Sequence, residues 1–261
     1  SLAANTTANN NTAVGSQALL ANTTGASNTA VGYGALTACT TGPSNTAIGL
    51  SALDASTTGA ENCAVGESAL GAVTTGSYNL AMGANAAVNT VALTTGSRNI
   101  CMGTYCRTST VDALDQLVFG YAVTGSADTT ITVGYGNTDS TMSLGGTTWS
   151  APSDLRMKEN IEDAEAGLSF INDLRPVTFK WKKEKDISEE LGAYKADSEK
   201  RYNNDTVNHG FIAQEVKEVI DNHPEIKEGF DFWSEDDIDG RQRVGASALE
   251  IVLTKAIQEL S

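Results

Sequence analysis

Apolar and polar positions in residues 1–108 recur with a long, fixed period. Asn11, Asn28, Asn45, Asn62 and Asn79 stand 17 residues apart, and Asn99 follows after 20. Each opens the same phrase: NTAVGSQAL, NTAVGYGAL, NTAIGLSAL, NCAVGESAL, NLAMGANAA and a degraded NICMGTYC. A Thr-Thr-Gly ending at Gly25, Gly42, Gly59, Gly76 and Gly96 always stands three residues before the next Asn. The three extra residues of the longer interval therefore fall between Ala86 and Thr94 as a local enlargement. A fixed period of this length predicts a solenoid in which each repeat supplies one coil. The position of Val14, Val31, Ile48, Val65, Met82 and Met102 is always apolar and mostly β-branched. It is expected to point into a core from a short strand. Ala18-Leu19 and its copies predict a second strand, and two strands of about five residues with two turns fill one period. The repeated Asn, Thr and Gly are read as ladder and turn positions, not binding residues.

Residues 109–152 keep a decayed echo. Phe119-Gly120, Val133-Gly134 and Leu144-Gly145 each place an apolar residue before Gly, and Thr130–Val133 alternates as a strand. This stretch is expected to be a β-rich neck or tip. From Ser153 to Ser261 the pattern is that of an α+β domain. Ala164–Leu174 predicts a helix that Pro176 stops. Val177–Trp181 alternates as a strand, and residues 183–206 are a charged surface excursion. Phe211–Ile220 predicts an apolar lead-in and a short helix closed by Pro224. Asp231–Val244 predicts a hairpin turning at Asp239-Gly240. Ala246, Leu249, Leu253, Ala256 and Leu260 step by three and four, the seam of a coiled-coil helix beginning near 246.

Charge sharpens the division. Residues 1–150 carry two basic and seven acidic side chains, against 15 and 25 in residues 151–261. The net charge of −15 argues against a nucleic-acid partner. No apolar run approaches the length of a membrane span, so membrane insertion is not expected. The opening residues show no signal peptide; the absence of an initial Met and the unfinished heptad pattern read as a piece of a longer chain. A core built of Ala and Val buries little per coil, and such coils are rescued by association of several chains. Cys39, Cys63, Cys101 and Cys106 lack a zinc pattern and are read as small apolar substitutes, with a Cys101–Cys106 pairing as the alternative. The acidic run Glu235–Asp239 is read as a solvated face, so no metal and no cofactor are expected. The first half has too few titratable groups to build an active site for a separate substrate.

The phrase NTAVGxxAL with its Thr-Thr-Gly resembles the head repeats of trimeric autotransporter adhesins, which also occur in phage tail fibres. The resemblance implies a trimeric parallel β-roll. Three further pieces, Ser153-Asp-Leu-Arg-Met-Lys-Glu-Asn-Ile161, Leu174-Arg-Pro-Val-Thr-Phe179 and Asn208-His-Gly-Phe-Ile-Ala-Gln-Glu-Val216, together resemble the intramolecular chaperone of phage endosialidases and tail fibres, the S74 peptidase family. That resemblance covers about 149–261. It implies a domain that trimerises, brings the upstream fibre into register and then cuts itself off. The expected product is a virion tail fibre, a homotrimer that meets a host-cell surface receptor.

Self-cleavage needs a nucleophile beside the scissile bond and a base. Ser153 can attack the carbonyl of Pro152, its own preceding residue, through a five-membered ring, with proximity supplied by the covalent chain. Lys158 is the candidate base. Because a lysine ordinarily titrates near 10.4, a base lysine must be desolvated or placed near another cation, for which Arg156 is the candidate. Asp154 is a candidate to hold Ser153 or the local turn. His209 and Gln214, in the third piece, are candidates to orient the site or line a subunit contact. The alternative is a structural adhesin fibre whose C-terminal domain stays as a permanent trimeric cap without cleavage.

Overall fold

The structure, a computed structural model, describes residues 1–261 except 89–90, 227–229, 237–239 and 246. The chain forms two compact units, residues 1–158 and 159–261. It is mostly β, a parallel β-solenoid followed by a few helices.

One sheet runs the length of the solenoid. Its strands are β1 (Thr12–Val14), β2 (Thr29–Val31), β3 (Thr46–Ile48), β4 (Cys63–Val65), β5 (Leu80–Met82), β6 (Ile100–Met102), β7 (Leu117–Tyr121), β8 (Thr130–Tyr135) and β9 (Thr138–Ser143). They stack in chain order, parallel from β1 to β8, and β9 returns antiparallel on β8. Thr12 pairs with Thr29, Thr29 with Thr46 and Thr46 with Cys63, so the register equals the repeat. The ladder outruns the sequence phrases at both ends. Leu2 stands 17 residues before Leu19 and its N–H bonds the Ala18 carbonyl. Gln116 stands 17 residues after Asn99 and its N–H donates to Asn99 Oδ1 at 3.1 Å.

The inward and outward sides differ from the expectation. Successive strand residues face opposite ways. The middle residue, Ala30, Ala47, Ala64, Ala81, Cys101 or Val118, is buried. The neighbouring Val position faces outward: Val14 is 58% exposed, Ile48 41% and Met82 42%. The coil is narrow, and the opposite wall already fills it with buried Leu19, Leu36, Leu53 and Leu70. Only a side chain about the size of alanine fits against them from the strand.

The second expected strand is absent. Leu19, Leu36, Leu53 and Leu70 have φ between 51° and 53° and turn a corner. Their N–H groups still bond the Ala35, Ala52, Ala69 and Ala86 carbonyls of the next coil, each at 3.0 Å. A left-handed leucine costs on the order of 1–2 kcal/mol. Burying its side chain contributes roughly 1.5–3 kcal/mol and offsets that cost.

Coil spacing is fixed by glycine and asparagine. Gly49 has φ +139°, and a Cβ there would sit 2.4 Å from the Gly66 carbonyl oxygen. The asparagines stack as a buried polar ladder. Asn45 Nδ2 donates to the Gly59 carbonyl at 2.8 Å, and Asn45 Oδ1 accepts from the Asn62 N–H at 3.0 Å. The cysteine expectation is corrected at one pair: Cys101 and Cys106 form a disulfide. Both occupy alanine positions, Cys101 that of Ala81 and Cys106 that of Ala86, which face each other across the coil. Their Cα atoms are 6.0 Å apart, a spacing a disulfide spans.

In the second unit, α1 (Leu168–Asp173), β10 (Val177–Phe179), β11 (Asn208–Gly210), α2 (Ala213–Asn222), β12 (Trp233–Glu235), β13 (Gln242–Val244) and α3 (Ser247–Leu260) follow in order. β10 pairs antiparallel with β11, and β12 with β13. Helix α1 is shorter than expected because Gly167 precedes it and Glu259 of α3 accepts the Leu168 N–H at 2.8 Å. The core gathers Phe170, Leu174, Val216, Phe232 and Val252. The hairpin forms, but residues 237–239 of its turn and acidic run lie outside the described residues. Ala246 of the heptad seam lies outside them too. The rest of the seam divides: Ala256 is buried and Leu249 packs on the core, whereas Leu253 and Leu260 are exposed beside Ile257. The excursion over 183–206 holds one buried carboxylate, Glu184, bound by Lys195 at 2.8 Å and Ser198 at 2.6 Å.

Candidate functional site

A single tight turn organises the segment after Pro152. Asp154 has extended backbone angles and caps a 3-10 turn over Leu155–Met157, its Oδ1 accepting the Arg156 N–H at 2.9 Å. The Met157 N–H bonds the Asp154 carbonyl at 3.0 Å, and the Lys158 N–H bonds the Leu155 carbonyl at 3.2 Å. An aspartate here satisfies an N–H that the start of a helical turn leaves open. The guanidinium of Arg156 grips the same carboxylate, Nε at 3.0 Å and Nη2 at 2.6 Å. These bonds hold the Asp154 carboxyl below its ordinary range.

The turn brings Ser153 and Lys158 together. Lys158 Nζ donates to Ser153 Oγ at 2.7 Å. Both side chains are exposed, as are Leu155 and Met157 between them. The Arg156 guanidinium lies on the Asp154 carboxylate within the turn. Pro152 is exposed in a stretch without regular structure before the turn.

His209 and Gln214 belong to the second unit. His209 is an exposed residue of β11, opposite Thr178 of β10. Gln214 lies in the first turn of α2, at the edge of a cavity of about 970 Å³ lined by Phe179, Trp181, Phe211 and Phe232.

One cluster was not predicted from the sequence. His223, at the C-terminal end of α2, is buried between two carboxylates: Nδ1 lies 2.6 Å from Glu225 and Nε2 2.9 Å from Asp173 of α1. Phe170 packs edge-on against its ring. The hydrogen bond to Glu225 raises the His223 pKa, burial opposes it, and the bond to Asp173 adds to the rise. With an acceptor at each nitrogen, the doubly protonated ring is the favoured form. The one signal available was His223-Pro-Glu225 at a helix end, a pattern with no distinctive spacing.

Because the folded pKa is raised, this contribution to stability is complete below the unfolded value near 6.5 and is lost as pH rises through the folded value. Unfolding of the second unit is therefore expected to move to lower temperature between pH 6 and pH 8, and the change should vanish in His223→Gln. The chain has two histidines, so imidazole NMR titration isolates the group. A His223 that titrates below about 6.5 contradicts the clamp.

Residues 153–223 match the family model of the peptidase S74 family, described as chaperone of endosialidase. No curated protein and no solved structure matches the chain. The matched segment begins at Ser153, the first residue of the turn, and ends at His223, the clamp between α1 and α2. A chaperone domain of the endosialidase type thus follows the solenoid in sequence.

Proposed function

We propose that residues 153–261 draw three copies of the chain into a parallel trimer in register, and that the chain then cuts itself between Pro152 and Ser153. The released stem is part of a phage tail fibre or tailspike on the virion, directed at a host-cell surface receptor. The observation that carries this reading is the 2.7 Å contact between Lys158 Nζ and Ser153 Oγ at the head of the matched segment.

The chemistry uses only the chain and water. Ser153 Oγ adds to the Pro152 carbonyl carbon while its proton passes to a neutral Lys158 amine. The bond between that carbon and the Ser153 nitrogen breaks, the nitrogen takes the proton back, and an ester links Pro152 to Ser153 Oγ. Water hydrolyses the ester, leaving a Pro152 carboxylate, the Ser153 hydroxyl and a new amino terminus. Removing a lysine from water favours its neutral form. Leu155 and Met157, which precede Lys158 in the turn, are 72% and 66% exposed in the single chain, and association of the chains covers them. Cleavage then follows assembly.

The purpose is kinetic. Similar coils slip against one another easily, and pairing between chains is slow to form. A C-terminal domain that associates first sets the alignment, and its removal traps the product. The test is refolding from denaturant. The uncleaved Ser153→Ala chain is expected to regain trimers, whereas the cleaved stem is not. Equal recovery of the two sinks the chaperone role. A wild-type chain that stays whole after assembly favours the permanent cap.

A further inference from the structure

The outward face of the sheet changes character along the solenoid. Each strand sends two side chains outward, one on either side of its buried middle residue. From β1 to β4 these pairs are Thr12 and Val14, Thr29 and Val31, Thr46 and Ile48, Cys63 and Val65. In the four strands after them they are Leu80 and Met82, Ile100 and Met102, Leu117 and Phe119, Ile131 and Val133. Threonine gives way to Cys63 at β4, and from β5 to β8 both members are large and apolar. None of the sixteen side chains is charged, in a chain of net charge −15. Glu61, Glu67, Arg98 and Asp115 all lie elsewhere on the coil.

We propose that three stems zip together through this outward face from its C-terminal end, with β5 to β8 as the nucleus and β1 to β4 closing last. The inference rests on the trimer reading above and adds a direction and a surface to it. A second copy of the chain is the occupant the face fits. A partner must offer apolar contacts at the strand spacing of about 4.8 Å over eight strands, and an identical parallel chain does so by construction. The face carries no charge, so identical chains bring no like charges together there.

Direction follows from the gradient. The threonine-valine pairs of β1 and β2 are identical, so a one-coil slip there exchanges like for like. The pairs from β5 to β8 all differ, so a slip mismatches every contact. In sequence the enlarged interval between Ala86 and Thr94, of which residues 89–90 lie outside the described residues, comes between β5 and β6, and one alignment of three chains alone sets the three enlargements level. The stretch that specifies register is thus also the most apolar, and it is the end nearest in sequence to the chaperone domain.

Pulse-labelling hydrogen exchange during refolding of the full-length Ser153→Ala chain tests this, with sedimentation of the same samples. Amides of β5 to β8 are expected to gain protection first, by about tenfold in time over β1 to β3. The pair Leu117→Thr with Phe119→Thr should delay protection of every coil by about tenfold or more, reflecting the lost apolar contacts. Val14→Thr with Val31→Thr should delay the first coils alone. Threonine already occupies the outward face of β1 to β3, so either pair leaves the coil foldable. Protection that begins at β1, or equal delays from the two pairs, overturns the direction while sedimentation still reports trimers. Fully protected stems that sediment as monomers overturn the trimer reading itself.

Discussion

Replacing Lys158 by arginine is expected to stop self-cleavage while leaving the turn around Ser153 intact. Arginine can still donate a hydrogen bond to Ser153 Oγ, as Lys158 Nζ does at 2.7 Å. It cannot take up the Ser153 proton, because a guanidinium stays protonated in proteins. The substitution separates holding the hydroxyl from accepting its proton. Loss of a general base typically slows a reaction by about 10²–10⁴-fold. Lys158→Met removes both roles and should be no slower to cleave than Lys158→Arg by more than about tenfold. The check is the fraction of cleaved chain against time on a denaturing gel. Cleavage of Lys158→Arg at the wild-type rate removes Lys158 from the chemistry and leaves Ser153 needing another base.

The second large effect lies in the polar ladder. Asn45→Ala is expected to destabilise the solenoid by about 3–5 kcal/mol, as two or more buried groups lose partners at about 1–3 kcal/mol each. Asn45 Nδ2 serves the Gly59 and Pro43 carbonyls and Asn28 Oδ1, while Asn45 Oδ1 takes the N–H of Asn62 and its Nδ2. Apart from the exposed Pro43 these residues are buried, so no water replaces the missing side chain at the Gly59, Asn28 and Asn62 partners. Asn45→Asp keeps the acceptor but loses every donor and places a charge in the coil, and should be at least as damaging. Guanidinium unfolding of the Ser153→Ala chain measures both. A loss below about 1 kcal/mol for Asn45→Ala means that the asparagines do not hold the coils.

The repeat made the solenoid legible. An interval of 17 residues gave the register directly, because each strand pairs with its own copy one repeat on. Which side of the strand faces in was not legible. Val14 and Ile48 have the composition of core residues, and hydrophobicity alone does not say whether the covering partner is the same chain or another. The left-handed leucines were hidden for a related reason. Leu19 and Leu36 look like strand residues, and only the close approach of the next coil forces φ positive. Gln116 was hidden because it breaks the asparagine pattern: only its backbone N–H continues the ladder, to Asn99 Oδ1, while its side chain bonds Ser109 and Asp128.

The candidate residues could be picked out in the sequence, while the turn that brings Ser153 and Lys158 within 2.7 Å could not. Ser153 and Lys158 stood out by their place at the change of composition and by the motif around them. The pairing of Asp154 with Arg156 inside the turn could not be read from spacing alone. His223 was invisible for a different reason. Its partners Asp173 and Glu225 stand 50 residues before it and two after, and only the packing of α1 against α2 brings all three together.

The central claim, that the chain cuts itself before Ser153, is tested most directly by an intact-mass spectrum of the purified protein under denaturing conditions. The account predicts two species, residues 1–152 and 153–261, with one undivided species for Ser153→Ala. A single wild-type species of 27.2 kDa, or a Ser153→Ala chain cut at the same bond, contradicts it.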